Sequence, residues 1–239
     1  INLKHRDDAL LACDDAIMLK RAIKAVAQQQ GVQASFMAKP FAEQAGNGLH
    51  IHVSVLDANG QNIFASTPDA PADALKHAVG GLQRSARDSL LLFAPHANSY
   101  RRFVLNAFVP LNDAWGYNNR TVAMRIPHSN EANTRVEHRI AGADANPYLV
   151  TAAVLAGMLH GIENGFDPGP PVVGNAYEQT EIRTPYWRQA IGDFMDSGFI
   201  REQFGESFQH IYGQQKLKEM QTFYTHVTTL EYDWYLRAV

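Results

Sequence analysis

An α+β fold is predicted for this chain: an antiparallel sheet lining a cleft, backed by helices. Three observations lead there. Residues 49–56 and 135–140 alternate apolar and polar side chains at the two-residue period of strands with one face exposed. Ala- and Leu-rich stretches carry helix punctuation at their ends. The strand-like segments do not alternate one for one with helices, as the βαβ units of a parallel sheet require.

Asp7 and Asp8 precede an Ala-rich helix that stops at Gly31. Residues 33–38 read as a strand. Residues 49–56 form a second, Asn59-Gly60 a tight turn, and 62–65 a returning strand. Residues 71–92 read as one helix ending before Pro95. Strands are predicted at 103–109, 121–126 and 135–140. Asn146-Pro147 is a cap with proline at the first helical position, opening an apolar helix that ends near Gly165. Residues 166–174 are a rigid loop. Helices follow at about 185–197, 199–212 and 214–237. In the last, Met220, Phe223, Tyr224, Val227, Leu230 and Trp234 make one apolar stripe. The stripe predicts a helix packed on its own core, with a subunit contact as the alternative.

Composition excludes several classes. With 239 residues, 46% hydrophobic and 19% charged, the chain has the make-up of a globular protein with one sizeable core or two small ones. A net charge of −3 with scattered Lys and Arg argues against a nucleic-acid or membrane-surface module. Cys13 is the single cysteine, so no internal disulfide forms and a cytoplasmic location is expected. No apolar run approaches the ~18 residues of a membrane-spanning helix. The chain opens at Ile1 rather than Met and is expected to be part of a longer protein.

Three clusters can carry chemistry. In Gly46-Asn-Gly-Leu-His-Ile-His-Val-Ser54, alternation puts His50, His52 and Ser54 on one strand face and Leu49, Ile51, Val53 and Val55 on the other. That face is either solvent-exposed or lines a polar cleft; the glycines before it let a backbone approach a ligand closely. In Arg135-Val-Glu-His-Arg139, the charged residues share one face and Val136, His138 and Ile140 the other. This is either a surface salt-bridge ladder or a site where Glu137 holds a cation and arginines hold anions. Third, Arg101, Arg102, Arg120, Arg125, Arg135 and Arg139 fall in residues 98–139 with no lysine among them. They are either a solvated basic face or planar forks for carboxylate and phosphate oxygens. A metal-capable His and Glu beside such arginines are the parts of a phosphoryl-transfer site.

The motifs GNGLHIHVS, NSYRRF, NNRTVAMRIP and RVEHRIAGADANPYL, in this order and spacing, resemble the C-terminal catalytic region of glutamine synthetases. The resemblance implies an ATP-dependent ligase of α+β fold, its sheet lining the active site, that joins glutamate to an amine through γ-glutamyl phosphate. It implies Mg²⁺ or Mn²⁺, with His50 and Glu137 as ligands of the cation beside the transferred phosphate. His52, Ser54 and Arg135 match nucleotide-binding positions. Arg120 and Arg125 match arginines on the nucleotide phosphates, and Arg120 is the candidate catalytic residue. Gly46, Arg102 and Arg139 match positions that bind glutamate. Residues 1–239 are then the C-terminal part of the catalytic domain. The remaining metal-binding glutamates and the small N-terminal β-grasp domain are expected to precede Ile1, and the fragment alone is expected to be inactive. A ring-shaped homo-oligomer is expected of the full-length protein, with small-molecule substrates and neither nucleic acid nor membrane as partner.

Two positions depart from the family pattern. Ammonia-using members carry a glutamate six residues after the arginine matched by Arg102; here the stretch reads Asn106-Ala-Phe-Val-Pro110, with Phe108 in that place. An Asn before the glycine loop is Ala45 here. Apolar Phe108 can neither enclose an ammonium ion nor take its proton. The resemblance therefore points to the branch that γ-glutamylates larger amines such as polyamines, with an ammonia-dependent enzyme or a non-catalytic fragment as alternatives.

Overall fold

The computed structural model describes residues 1–239. The α+β expectation holds: ten helices surround one small four-stranded sheet. The first helix, α1 (Ala9–Gln29), is capped by Asp8, whose carboxylate accepts from Leu10 N and Leu11 N. It touches the rest of the molecule mainly through α5, where Cys13 is buried against Thr151.

The sheet holds β1 (Ile51–Val53), β2 (Trp115–Tyr117), β3 (Met124–Ile126) and β4 (Val136–His138), in the order β1-β4-β3-β2. β4 pairs antiparallel with both β1 and β3. The unanticipated β2 adds a parallel pair beside β3, with Gly116 opposite Arg125. Register puts His52 opposite Glu137 and Arg125 opposite Glu137, which fixes three polar side chains on one face. The other face supplies Val136, Met124 and Ile140 to the core.

Two predicted strands do not form. Residues 33–38 have no ladder partner; the carbonyls of Met37 and Ala38 are taken singly, by the side chain and backbone of Asn47. Residues 103–109 turn instead, because Asn106 and Phe108 adopt φ of 62° and 53°, outside the extended region. The return strand at 62–65 shrinks to one bridge between Leu56 and Asn62.

The predicted 71–92 helix is two, α2 (Asp73–Ser85) and α3 (Leu90–Phe93). At the break, Arg87 binds Asp193 and Asp88 accepts from the Ser197 hydroxyl. The short α4 (Ala97–Tyr100) follows. α5 (Pro147–Asn164) starts at the Asn146 cap and ends at Gly165 in the left-handed conformation, as the sequence indicates. α2 and α5 cross in close contact: a Cβ on Gly161 would lie 2.0 Å from the His77 carbonyl oxygen.

The C-terminal third holds α6 (Ala176–Gln179), α7 (Trp187–Asp196), α8 (Gly198–Phe204), α9 (Glu206–Tyr224) and α10 (Thr229–Tyr235). The apolar stripe is not a core face. Met220 is buried, but Phe223, Tyr224, Val227, Leu230 and Trp234 are exposed. The chain leaves the helix at 225–228 and restarts at a Thr228–Glu231 capping box, so the periodicity does not continue as one packed face.

Candidate active site

Glu137 organises the polar face of the sheet. Its side chain is 4% exposed. Arg125 Nη1 donates to Oε2 at 2.8 Å and Arg139 Nη1 to Oε1 at 2.9 Å. His50 Nδ1 lies 3.0 Å from Oε1, and His52 Nε2 3.9 Å from it. Burial alone would push the Glu137 carboxyl up. Hydrogen bonds from His50 and Arg125, with the charge of Arg139, outweigh it and hold the group well below the ordinary carboxylate range. Glu137 is therefore ionised at neutral pH. The exposed-ladder alternative for Arg135–Arg139 is ruled out by this burial, although Arg135 itself is half-buried.

The surrounding residues extend the cluster. Arg125 also donates through Nη2 to Asn118. Asn118 opens the NNRTVAMRIP motif but has no predicted role there; its φ of 49° is a conformation asparagine tolerates better than most residues. Arg139 donates through Nη2 to the carbonyls of Phe108 (3.2 Å) and Arg120 (3.0 Å), tying both loops to the sheet. Arg120 lines a cavity of about 390 Å³ with Tyr117, Asn119 and Val172. Arg135 Nε donates to His52 Nδ1 at 3.3 Å. Burial lowers the His52 pKa despite the opposing pull of Glu137, leaving the ring neutral at pH 7. Ser54 lies past the end of β1 and makes no hydrogen bond to this cluster.

A second centre forms around Arg102, which is 3% exposed. Its Nη2 donates to the Ile140 carbonyl. Burial lowers its pKa to about 10, so it keeps its charge at pH 7. The glycine loop lies directly on this side chain: a Cβ on Gly46 would fall 2.7 Å from Arg102 Cγ and 2.8 Å from the Ala38 carbonyl oxygen. A Cβ on Gly48 would lie 3.3 Å from both Arg102 Nη1 and His50 Nε2, so the two centres meet there. His50, His52, Glu137, Arg102, Arg125, Arg135, Arg139 and Gly46 thus form one connected region, with Arg120 at its edge. His138 faces away, packed 4.5 Å from the Phe93 ring, and burial lowers its pKa to about 3.

The region is rich in fixed positive charge with one central carboxylate. It can hold several anionic groups at once through arginine forks. His50 and Glu137 bring an imidazole nitrogen and a carboxylate oxygen within 3.0 Å of each other, a donor pair of the kind that suits a divalent cation. His52 stands close by, but no three His, Cys, Asp or Glu side chains are arranged to hold a metal ion, so these two fit as part of a coordination shell only.

Comparison with known proteins identifies the family. Residues 1–235 match the family described as glutamine synthetase, catalytic domain. The chain is 43% identical over 238 residues to γ-glutamylputrescine synthetase PuuA of Escherichia coli K12, covering 99% of this chain and 50% of that protein. It is 40% identical over 245 residues to a glutamate–isopropylamine ligase of a Pseudomonas species, covering 100% and 53%. The solved structure of ligand-free GmaS superposes with a TM-score of 0.85 at 31% identity, over 97% of this chain and 54% of that one. The chain thus spans about half the length of the relatives it matches. With four ordered motifs, a shared fold and a match across nearly its whole length, the chain belongs to the glutamine synthetase catalytic-domain family.

Proposed function

We propose that this chain is the C-terminal part of the catalytic domain of an ATP-dependent glutamate–amine ligase, acting within a longer polypeptide. The observation that carries the reading is the buried Glu137 held by His50, Arg125 and Arg139, with Arg102 adjoining through the glycine loop. On this reading Gly46, Arg102 and Arg139 bind glutamate, and His52, Ser54 and Arg135 the nucleotide. Arg120 and Arg125 neutralise the phosphates, Arg120 acting on the phosphoryl group in flight. His50 and Glu137 are two ligands of a Mg²⁺ or Mn²⁺ ion, which supplies further positive charge to the phosphates when bound.

The chemistry follows from charge. A γ-carboxylate oxygen of glutamate attacks the terminal phosphorus of ATP and ADP leaves. The amine nitrogen then attacks the γ-carbonyl carbon, phosphate departs with its electron pair, and the nitrogen loses a proton. Arginines fixed before the reaction stabilise charge on the transferring group without reorganising.

The acceptor is proposed to be an alkylamine or polyamine rather than ammonia. On this reading Phe108 sits at the lip of the cleft: it is 63% exposed, in the same turn as exposed Val104 and Leu105, and its carbonyl accepts from Arg139. An apolar lip suits a methylene chain. The names of the similar ligases, for putrescine and isopropylamine, support the same class. The exposed aromatic and aliphatic side chains of residues 223–236 support an oligomer in the complete enzyme. The test is ATP hydrolysis by the full-length protein with glutamate and a panel of amines. Putrescine or another alkylamine is expected to give the highest kcat/KM; a maximum with ammonium refutes the acceptor assignment. The isolated chain, with only two metal ligands, is expected to form no γ-glutamyl amide.

A further inference from the structure

Arg102 is charged, buried and carried by a short element that cannot hold its own shape. It follows α4, a helix of only four residues, and its backbone N–H reaches back to the Ser99 carbonyl at 3.2 Å. No carboxylate lies within ion-pair distance of it. Something outside the helix must therefore set its direction.

The side chains of α4 show what does. Asn98 exchanges two hydrogen bonds with the backbone of Lys39, at 2.9 Å each, fixing the helix to the segment leading into the glycine loop. Ser99 is 1% exposed. Its hydroxyl donates to Asp144 Oδ2 at 2.5 Å and accepts from His96 N at 3.0 Å. A hydroxyl so engaged has one orientation, and the bond to an ionised acceptor is the stronger kind. Asp144 is held in turn by its own segment: Lys20 of α1 donates to the Ala143 carbonyl at 2.6 Å. The other Asp144 oxygen, Oδ1, is buried with no hydrogen-bond partner. A buried carboxylate oxygen without a partner is costly, and such groups persist where they serve a purpose. Its negative charge also offsets the burial of Arg102.

We infer that Asp144 is a positioning residue for Arg102: through Ser99 it locks the short helix so that the guanidinium faces the site of the amino-acid substrate's carboxylate. The inference rests on the ligase reading for the identity of that substrate. Neither Ser99 nor Asp144 touches substrate in this arrangement; both act through Arg102.

The test uses Asp144→Ala, Asp144→Asn, Ser99→Ala and the Ser99→Ala/Asp144→Ala pair in the full-length ligase. Loss of a hydrogen bond to a charged group predicts a rise of roughly tenfold in KM for glutamate with Asp144→Ala, and little change in KM for ATP. Asp144→Asn keeps an acceptor for Ser99 and is expected to recover most of the loss. The double variant is expected to be no worse than Ser99→Ala alone, because the two act as one unit. Equal changes in both KM values, additive losses, or failure of Asn to rescue overturns the inference. A crystal structure of the Asp144→Ala chain decides independently of turnover. Arg102 is expected to leave the Ile140 carbonyl, and an unmoved guanidinium refutes the positioning role. If the unaltered enzyme makes no product from glutamate, the ligase reading falls while the structural arm still judges Asp144.

Discussion

Replacing Glu137 by alanine tests whether the sheet's polar face is a buried charge cluster or a surface ladder. The three partners of Glu137 differ in what they can do once it is gone. The His50 side chain is 36% exposed and can rehydrate. Arg125 is 16% exposed and keeps its bond to Asn118. Arg139 is 5% exposed and is left with two carbonyls and no counter-charge. Stranding one buried charge costs about 3–5 kcal/mol, whereas an exposed pair is worth about 0–1 kcal/mol. Taking the lower buried figure, since solvent reaches the other two partners, the expected loss is about 3 kcal/mol. At about 2–4 °C per kcal/mol for a chain of this size, the melting temperature falls by roughly 6–12 °C. Urea unfolding at pH 7 measures the loss directly. A second replacement, Arg139→Met in the same variant, is expected to restore much of it, because a buried pair is often replaceable by apolar side chains. The pH dependence has a fixed sign. Glu137 has a folded-state pKa below its ordinary value, so its stabilisation is complete above about pH 4.3 and is lost as the pH falls below that toward the folded value. The stability gap between the wild type and Glu137→Gln should therefore be widest at neutral pH and narrow in acid. A loss under 0.5 kcal/mol for Glu137→Ala, or a gap that does not vary with pH, would falsify the buried-cluster account.

Two further outcomes are expected. In the full-length enzyme, Phe108→Glu lowers kcat/KM for putrescine relative to ammonium, by putting charge on an apolar lip; Phe108 is exposed, so the melting temperature should move little. Equal losses for both amines, with a drop in melting temperature, would show that Phe108 acts through the fold instead. Gly161→Ala destabilises the chain by about 2 kcal/mol or more, since its Cβ would meet backbone of α2 at 2.0 Å and 2.6 Å. Gly192→Ala in α7, with nothing within 4 Å of the new Cβ, should be neutral or stabilising, and chemical denaturation of the two variants side by side checks the contrast.

Local pattern and tertiary contact determined different things here. The alternation at 49–55 and 135–140 was sufficient to put His50, His52, Glu137 and Arg139 on one face and His138 on the other, because side-chain direction along a strand depends on backbone pleat alone. The caps of α1 and α5 were legible for the same reason: Asp8, Asn146 and Gly165 act on residues within four positions of themselves. Departures arose where an element depends on a remote partner. Residues 33–38 have strand composition but no neighbouring strand, and 103–109 have it too but turn at Asn106 and Phe108 under the hold of Arg139 on the Phe108 carbonyl. β2, with glycine at its centre, exists because β3 is beside it. The stripe from Met220 to Trp234 has helical spacing, but whether such a face is covered depends on what lies opposite, and in this chain only Met220 is covered. Asn118 and Asp144 fall inside the NNRTVAMRIP and RVEHRIAGADANPYL motifs, but local pattern assigns neither a role. Their roles come from the side chains that folding brings to them, Arg125 for the first and Ser99 for the second, and hydrogen bonds between residues far apart in the chain leave no periodic trace in sequence.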